Sequence, residues 1–362
     1  MGIIMTKCDA LIKEMEKIIT RALEQGNPKL PTEAELCERY QVSRQTVRKA
    51  FSVLEKNHLI TRTQGSGTFA TGLKPASHNN HIAILLPSDY EYTYPKMLKK
   101  IQTLLANVGF TYSFHATGYS VASERTILEQ LLTTPICGLI VEPINSTLAN
   151  PNIDLYNKLA AKGIVSVFLN GYYPNLPHSV YVKTDNIAGA YQLTTSLFSE
   201  GHHTIGAIFR QDDLAGTERY LGYLHAMRDY SGIIDDTHIG WFSSEMLSSL
   251  EKEQHTSFLR NFIQTKLVSC SSVICHNDEI AYYLIKELAN KSLHVPADIC
   301  IASFDNSYLC DFSTPSITSL GTKDDDLASV AVDLLLAQLR HQTVTPIQLP
   351  YTLYKRNSTR NR

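Results

Sequence analysis

From His81 onward the chain alternates short apolar runs with longer amphipathic stretches. His81–Pro87, Thr111–Thr117, Cys137–Pro143, Ile164–Gly171, Thr204–Arg210, His238–Phe242, Ser272–Asn277 and Ile299–Asp305 are apolar runs of strand length. Tyr94–Asn107, Ala122–Thr133, Ile187–Glu200, Ala215–Tyr230, Leu247–Lys266, Asp278–Asn290 and Asp325–His341 lie between or after them and read as helices. This alternation predicts an α/β fold whose parallel sheets carry helices on both faces. A region of this length divides better into two sheet-centred lobes than one.

The first part of the chain has a different texture. Thr32-Glu-Ala-Glu35 is a capping box preceded by Pro31, so a helix is expected from Glu33 to about Tyr40. Gln41-Val42 makes a turn, and Ser43 caps a second helix from Arg44 to about Asn57. On that helix Val47, Ala50, Phe51 and Leu54 form one apolar stripe, with Arg44, Gln45, Arg48, Lys49 and Ser52 opposite. Two short helices with a basic outer face on the second are the layout of a helix-turn-helix. Leu59–Arg62, Gln64–Gly67 and Thr68–Ala70 then read as strand, glycine turn and strand, a wing carrying Arg62 and Gln64 towards DNA. Alone, a basic helix face is more often merely solvated and a glycine hairpin is ordinary. Their succession within one short segment is what favours a winged helix-turn-helix.

Charge supports the division. The net charge of -2 hides an asymmetry, since residues 1–72 carry 11 Lys+Arg against 8 Asp+Glu. A basic head on an acidic body suits nucleic acid at one end only. Thr71–Asn80, rich in Gly, Pro, Ser and Asn, reads as a linker. The expected domains are therefore 1–72 for DNA binding, 73–80 as linker, and 81–362 as an effector-binding and dimerisation domain. The seven cysteines form no C-x-x-C pair and suit reduced thiols in a cytoplasm. No apolar run approaches the roughly 18–20 residues that span a bilayer. Met1–Asp9 places an acid where a signal peptide would carry its apolar stretch. Neither a metal site nor a cofactor is expected, and His202-His203 reads as part of a structural turn.

In parallel α/β lobes, ligands bind beyond the C-terminal ends of strands. Those ends hold Ser88-Asp89-Tyr90, Glu142-Pro143, Asn170-Gly171-Tyr172, Thr184-Asp185, Arg210–Asp213, His276-Asn277-Asp278 and Asp305-Asn306. Arg219 lies on the helix after one end, and Trp241 lies within a strand. Carboxylates and amides pair with vicinal hydroxyls, and an aromatic face packs a sugar ring, so this set suits a neutral polyhydroxylated ligand. Blander readings stand beside it. Asp278 suits a helix cap, Trp241 could be core alone, and Tyr90, Tyr92 and Tyr94 could be a helix-entry cluster. No nucleophile elbow, phosphate loop, zinc-protease motif or dinucleotide fingerprint is present, so an enzyme is not expected.

Leu30-Pro-Thr-Glu-Ala-Glu-Leu36, Val42-Ser-Arg-Gln-Thr-Val-Arg-Lys-Ala50, Leu54 and Gly65-Ser-Gly-Thr-Phe69 resemble the DNA-binding domain of the GntR family. The resemblance implies that Arg44 and Arg48 contact DNA, with Ser43, Gln45 and Thr46 at the recognition-helix N-terminus and Lys49 on the same face. It also implies that a wing tip of Gln64, Gly65, Ser66 and Gly67 enters the minor groove. An arginine fork suits guanine O6 and N7, and helix N-terminal groups hold phosphates. Position 34 departs from the pattern, being Ala where many members carry a DNA-contacting Arg.

The span from about residue 81 to 359 resembles the effector-binding domain of the LacI/GalR family, a type I periplasmic-binding-protein fold. The resemblance rests on Gly138–Glu142, Glu200–Ile205, Glu218–Gly222, Cys275–Asp278, Val295-Pro296 and Ser303–Asp305 in order. It implies ligand contacts at Arg219, Asn277, Asp305 and Trp241. A GntR-type head on such a body resembles sugar-responsive repressors, which implies L-arabinose as effector, with Tyr90, Glu142, Asp185 and Asp213 as hydroxyl partners. The expectation is a cytoplasmic homodimeric repressor on a pseudo-palindromic DNA operator, released by the sugar, its body pairing through Lys96–Asn107 and Ala122–Thr133. The alternatives are another sugar, a response of opposite sign, or a sugar-acting enzyme.

Overall fold

The computed structural model describes residues 7–24, 27–56, 59–63, 67–71, 80–90, 92–253, 256–323 and 326–360. They fall into two compact units, Met1–Asn79 and Asn80–Arg362. Apart from Asn80, the expected linker lies outside the described residues.

In the first unit, α1 (Lys7–Glu24), α2 (Glu33–Tyr40) and α3 (Arg44–Lys56) precede the antiparallel hairpin β1 (Ile60–Thr63) and β2 (Gly67–Ala70). The capping box forms: Thr32 accepts from the Glu35 amide, and Glu35 accepts from the Thr32 amide at 2.7 Å. Gln41 takes a left-handed φ of 50° and ends α2, and Ser43 Oγ accepts from the Thr46 amide at 3.2 Å to start α3. The apolar stripe of α3 meets Leu11, Met15 and Ile19 of α1 and Leu36 of α2 in one core. These contacts turn the polar side of α3 outward.

The second unit contains two six-stranded sheets. The first has the order β13-β7-β6-β5-β3-β4. Its strands, all parallel, are β3 (His81–Leu86), β4 (Thr111–Ala116), β5 (Gly138–Val141), β6 (Val165–Leu169), β7 (Val180–Thr184) and β13 (Ile347–Leu349). The second has the order β14-β12-β11-β10-β8-β9. It comprises β8 (Ile205–Arg210), β9 (Ile239–Phe242), β10 (Ser272–Cys275), β11 (Cys300–Phe304), β12 (Thr318–Gly321) and β14 (Thr352–Tyr354), with only β14 antiparallel.

Helices α4 (Tyr94–Asn107), α5 (Val121–Leu131), α6 (Ile153–Ala161) and α13 (Asp326–Leu339) cover the first sheet. The second carries α7 (Asn186–Ser199), α8 (Leu214–Asp229), α9 (Ser244–Glu253), α10 (Ser257–Thr265), α11 (Asp278–Ala289) and α12 (Leu309–Phe312). The chain crosses between lobes after β7, after β12 and between β13 and β14. A cleft flanked by three such crossings is the natural place for lobe closure.

Sequence periodicity misses several elements. The expected continuous helix over Leu247–Lys266 is the pair α9 and α10, the second burying Leu259, Phe262 and Ile263. Helix α6 and strands β7, β12, β13 and β14 lie where no helix or strand is expected. Strands β13 and β14 have three residues each, too short to set a period, and are strands only because a neighbour pairs with them. None of the seven cysteines is in a disulfide.

Candidate effector cavity and nucleic-acid interface

The strand ends of the two lobes face a cavity of about 440 Å³, whose lining includes Tyr92, Glu142, Asn170, Asp213, Arg219, His276, Asn277 and Asp305. Its centre is Arg219, buried on α8. The guanidinium donates to Asn186 Oδ1 at 3.1 Å, Asp305 Oδ1 at 3.3 Å, the Tyr351 hydroxyl at 3.0 Å and the His276 carbonyl. Its carbon also lies 4.3 Å from the centre of the Phe304 ring. Burial alone would discourage the charge, but Tyr351 and Asp305 hold it firmly on. A planar fork satisfied on several edges is locked in one orientation.

Asp305 follows β11 with a φ of 94°, and Asn306 comes next at 47°. This turn is fixed from beneath by Asp278, which is fully buried. Asp278 accepts from the Ser307 amide and from Ser319 Oγ, each at 2.6 Å, and from Ser303 Oγ. Burial, then the Asp305 charge, pushes Asp278 up to about 6. Burial also raises Asp305 against the pull of Arg219. Asn277 caps α11, its Oδ1 accepting from the Ile280 amide at 2.9 Å, while the residue also lines the cavity.

On the first lobe, Glu142 accepts from the Tyr94 hydroxyl at 2.9 Å and from Asn170 Nδ2 at 3.0 Å. Burial pushes Glu142 up to about 7 against both hydrogen bonds, helped by the nearby Asp213. Asp213 caps α8 through the Ala215 amide at 2.9 Å and sits 3.5 Å from Arg210. Arg210 in turn lies 5.0 Å over the Tyr119 ring, which belongs to the other lobe. His276 lines the same cavity, and burial followed by Arg219 and Arg210 keeps its imidazole neutral.

Of the residues expected to meet the effector, Glu142, Asp213, Arg219, Asn277 and Asp305 line one cavity. Tyr90, Asp185 and Trp241 do not line it. Tyr90 is 72% exposed and is not part of the cavity wall, whereas Tyr92 and Tyr94 are. Asp185 caps α7, accepting from the Ala188 amide at 3.1 Å. Trp241 lies on the edge strand β9, 39% exposed, its ring edge-on to Tyr220 at 5.1 Å. Strand-end position identifies Asn170, Arg210 and His276 without selecting them. Tyr119 and Tyr351 carry no local signal, because a tyrosine in a loop looks alike wherever it points.

In the head, Ser43, Arg44, Gln45, Arg48 and Lys49 are exposed along the start of α3, with Thr46 partly so. Glu33 accepts from Arg48 at 3.0 Å and from Arg62 at 2.8 Å, tying recognition helix to wing strand. Gly67 opens β2 with a φ of 121°, open only to glycine at low cost. Gln64, Gly65 and Ser66 lie outside the described residues.

Comparison with known proteins agrees with both units. The family described as bacterial regulatory proteins, gntR family, matches residues 13–70, and the periplasmic binding protein-like domain matches residues 194–359. The chain joins a GntR-family DNA-binding domain to a periplasmic-binding-protein-like body. It is 29% identical over 337 residues to the arabinose metabolism transcriptional repressor of Geobacillus stearothermophilus, covering 92% of each chain. Identity to the protein of that name from Halalkalibacterium halodurans is 27% over 343 residues, covering 93% of this chain and 90% of the other. The fold resembles the transcription regulator CcpA of Lactococcus lactis with a TM-score of 0.67 at 20% identity, covering 78% of this chain and 100% of that one. The protein is a transcription regulator, and its relatives are regulators rather than enzymes. Among the described residues no helix of this regulator is long and apolar enough to cross a membrane.

Proposed function

We propose that this regulator is a cytoplasmic repressor that binds operator DNA as a homodimer and is released by a pentose, L-arabinose, to control genes of arabinose uptake and catabolism. One observation carries the sugar reading: Glu142, Asp213 and Asp305, three carboxylates from both lobes, meet Arg219 and Asn277 around a single cavity. Acceptors of this density, with a fixed donor fork among them, match the alternating hydroxyls of a sugar. The choice of arabinose draws on the names of the relatives.

In this reading Ser43, Arg44, Gln45, Thr46, Arg48 and Lys49 contact one DNA half-site, and Gln64, Gly65, Ser66 and Gly67 follow the minor groove. One head reads only a few base pairs, so two heads on a pseudo-palindrome supply the specificity. Helices α4 and α5 provide the pairing surface. Sugar binds best to a lobe arrangement that spaces the heads badly, and by reciprocity operator DNA weakens sugar binding by the same factor.

The test is fluorescence anisotropy of the protein on its own upstream DNA at fixed salt, titrated with L-arabinose and then with other pentoses. Release by L-arabinose alone is expected. Tighter DNA binding with sugar would reverse the sign of the response, and no effect of any pentose would discard the pentose.

A further inference from the structure

Two residues far apart in sequence meet across the cleft. The Tyr92 hydroxyl, from the loop before α4, donates to Asp305 Oδ2 at 3.0 Å at the end of β11. Oδ1 of the same carboxylate already receives Arg219. Both oxygens of Asp305 are thus engaged by protein, and one partner comes from the opposite lobe. Tyr92 has a φ of 49°, an uncommon conformation for a bulky side chain that persists only where surrounding contacts enforce it. Burial, then the charge of Asp305, holds its phenol well above the usual range, so it remains a donor at every working pH.

We propose that Tyr92 is a specificity-determining residue of the effector site: its hydroxyl takes the position of a ligand hydroxyl on Asp305, and an effector must displace it. The inference rests on the effector reading of this cavity. Displacement exchanges one hydroxyl donor for another, so the clasp offsets about tenfold of what a ligand hydroxyl gains at Asp305. A sugar lacking the hydroxyl that would replace the phenol leaves Oδ2 unsatisfied once Tyr92 is moved aside, and is rejected. The same hydrogen bond clasps the two lobes in the absence of ligand.

The full-length protein and its Tyr92→Phe variant distinguish this from a passive lining role. Without sugar, loss of the clasp speeds hydrogen exchange at the Asp305, Asn306 and Ser307 amides, which donate to Leu320 O, Ser319 Oγ and Asp278 Oδ2. In calorimetry, L-arabinose binds the variant about tenfold more tightly, the order expected for one hydrogen bond to a charged group no longer competed for. Unchanged exchange, or weaker L-arabinose binding by Tyr92→Phe, overturns the proposal. If neither protein binds L-arabinose, the pentose assignment fails. Exchange then tests the clasp directly, and an unaltered rate removes it as well.

Discussion

Arg219 Nη2 lies 3.3 Å from Asp305 Oδ1, joining the helix after β8 to the end of β11 at the floor of the cavity. The Arg219 side chain is only 7% exposed, whereas that of Asp305 remains 29% exposed, open to a ligand. The pair therefore serves two purposes, fixing Asp305 for a ligand and neutralising a charge on α8 that burial would otherwise penalise.

Asp305→Asn separates these roles. It keeps the volume and removes the charge, so L-arabinose affinity falls about 10- to 100-fold, as expected for losing a charged hydrogen-bond acceptor. The uncompensated guanidinium lowers the melting temperature as well. Operator binding persists, giving a repressor that stays on DNA when sugar is added. Calorimetry and anisotropy on the same preparation check both halves, and normal release by sugar would remove Asp305 from the site.

Arg44→Ala acts at the other end of the chain. Arg44 is exposed at the start of α3, so its loss leaves the head core intact. Operator affinity drops by about 1–3 kcal/mol while sugar binding is unchanged. A variant that held its operator as tightly as the parent protein would exclude Arg44 from the reading surface.

Glu142 makes the effector response depend on pH. Its folded pKa is about 7, raised from 4.5 chiefly by burial. A sugar hydroxyl donates to the carboxylate form, so L-arabinose affinity rises with pH through about 7 and falls below it. Stability runs the other way. A raised acid contributes most below its unfolded pKa, and that contribution is lost as pH rises from 4.5 to about 7. Glu142→Gln flattens both profiles, and its melting temperature gains on the parent protein between pH 5 and pH 8, values chosen to bracket the transition. Calorimetric titrations and melting curves at those pH values suffice, and a parent profile as flat as the variant's would contradict the assignment.

Thr32→Ala tests the capping box. Thr32 accepts from the Glu35 amide and Glu35 reaches back to the Thr32 amide, so the substitution loosens the first turn of α2. The expected cost to the head is about 1 kcal/mol. It appears as a lower melting transition of the DNA-binding unit, with the sugar-binding transition unmoved.

Much of this protein was determined locally by its sequence. A capping box, a three-and-four stripe and a glycine turn depend on neighbours within a few residues, so Thr32, Val47 and Gly67 could be placed without knowing the rest of the fold. The long strands and most of the long helices of the body follow for the same reason, since burial of one face imposes a period. Only the tertiary structure decided which strand ends converge. Asp185 and Asp213 look equivalent in sequence, each an acid beside a helix start, yet Asp213 lines the cavity and Asp185 does not. Tyr90 and Tyr92 differ by two positions, yet Tyr90, expected to meet the effector, is exposed, while Tyr92, expected only in a helix-entry cluster, lines the cavity. Tyr351 reaches Arg219 from a segment 132 residues away. Contacts of that separation arise from the packing of two sheets and three crossings, and no local pattern encodes them.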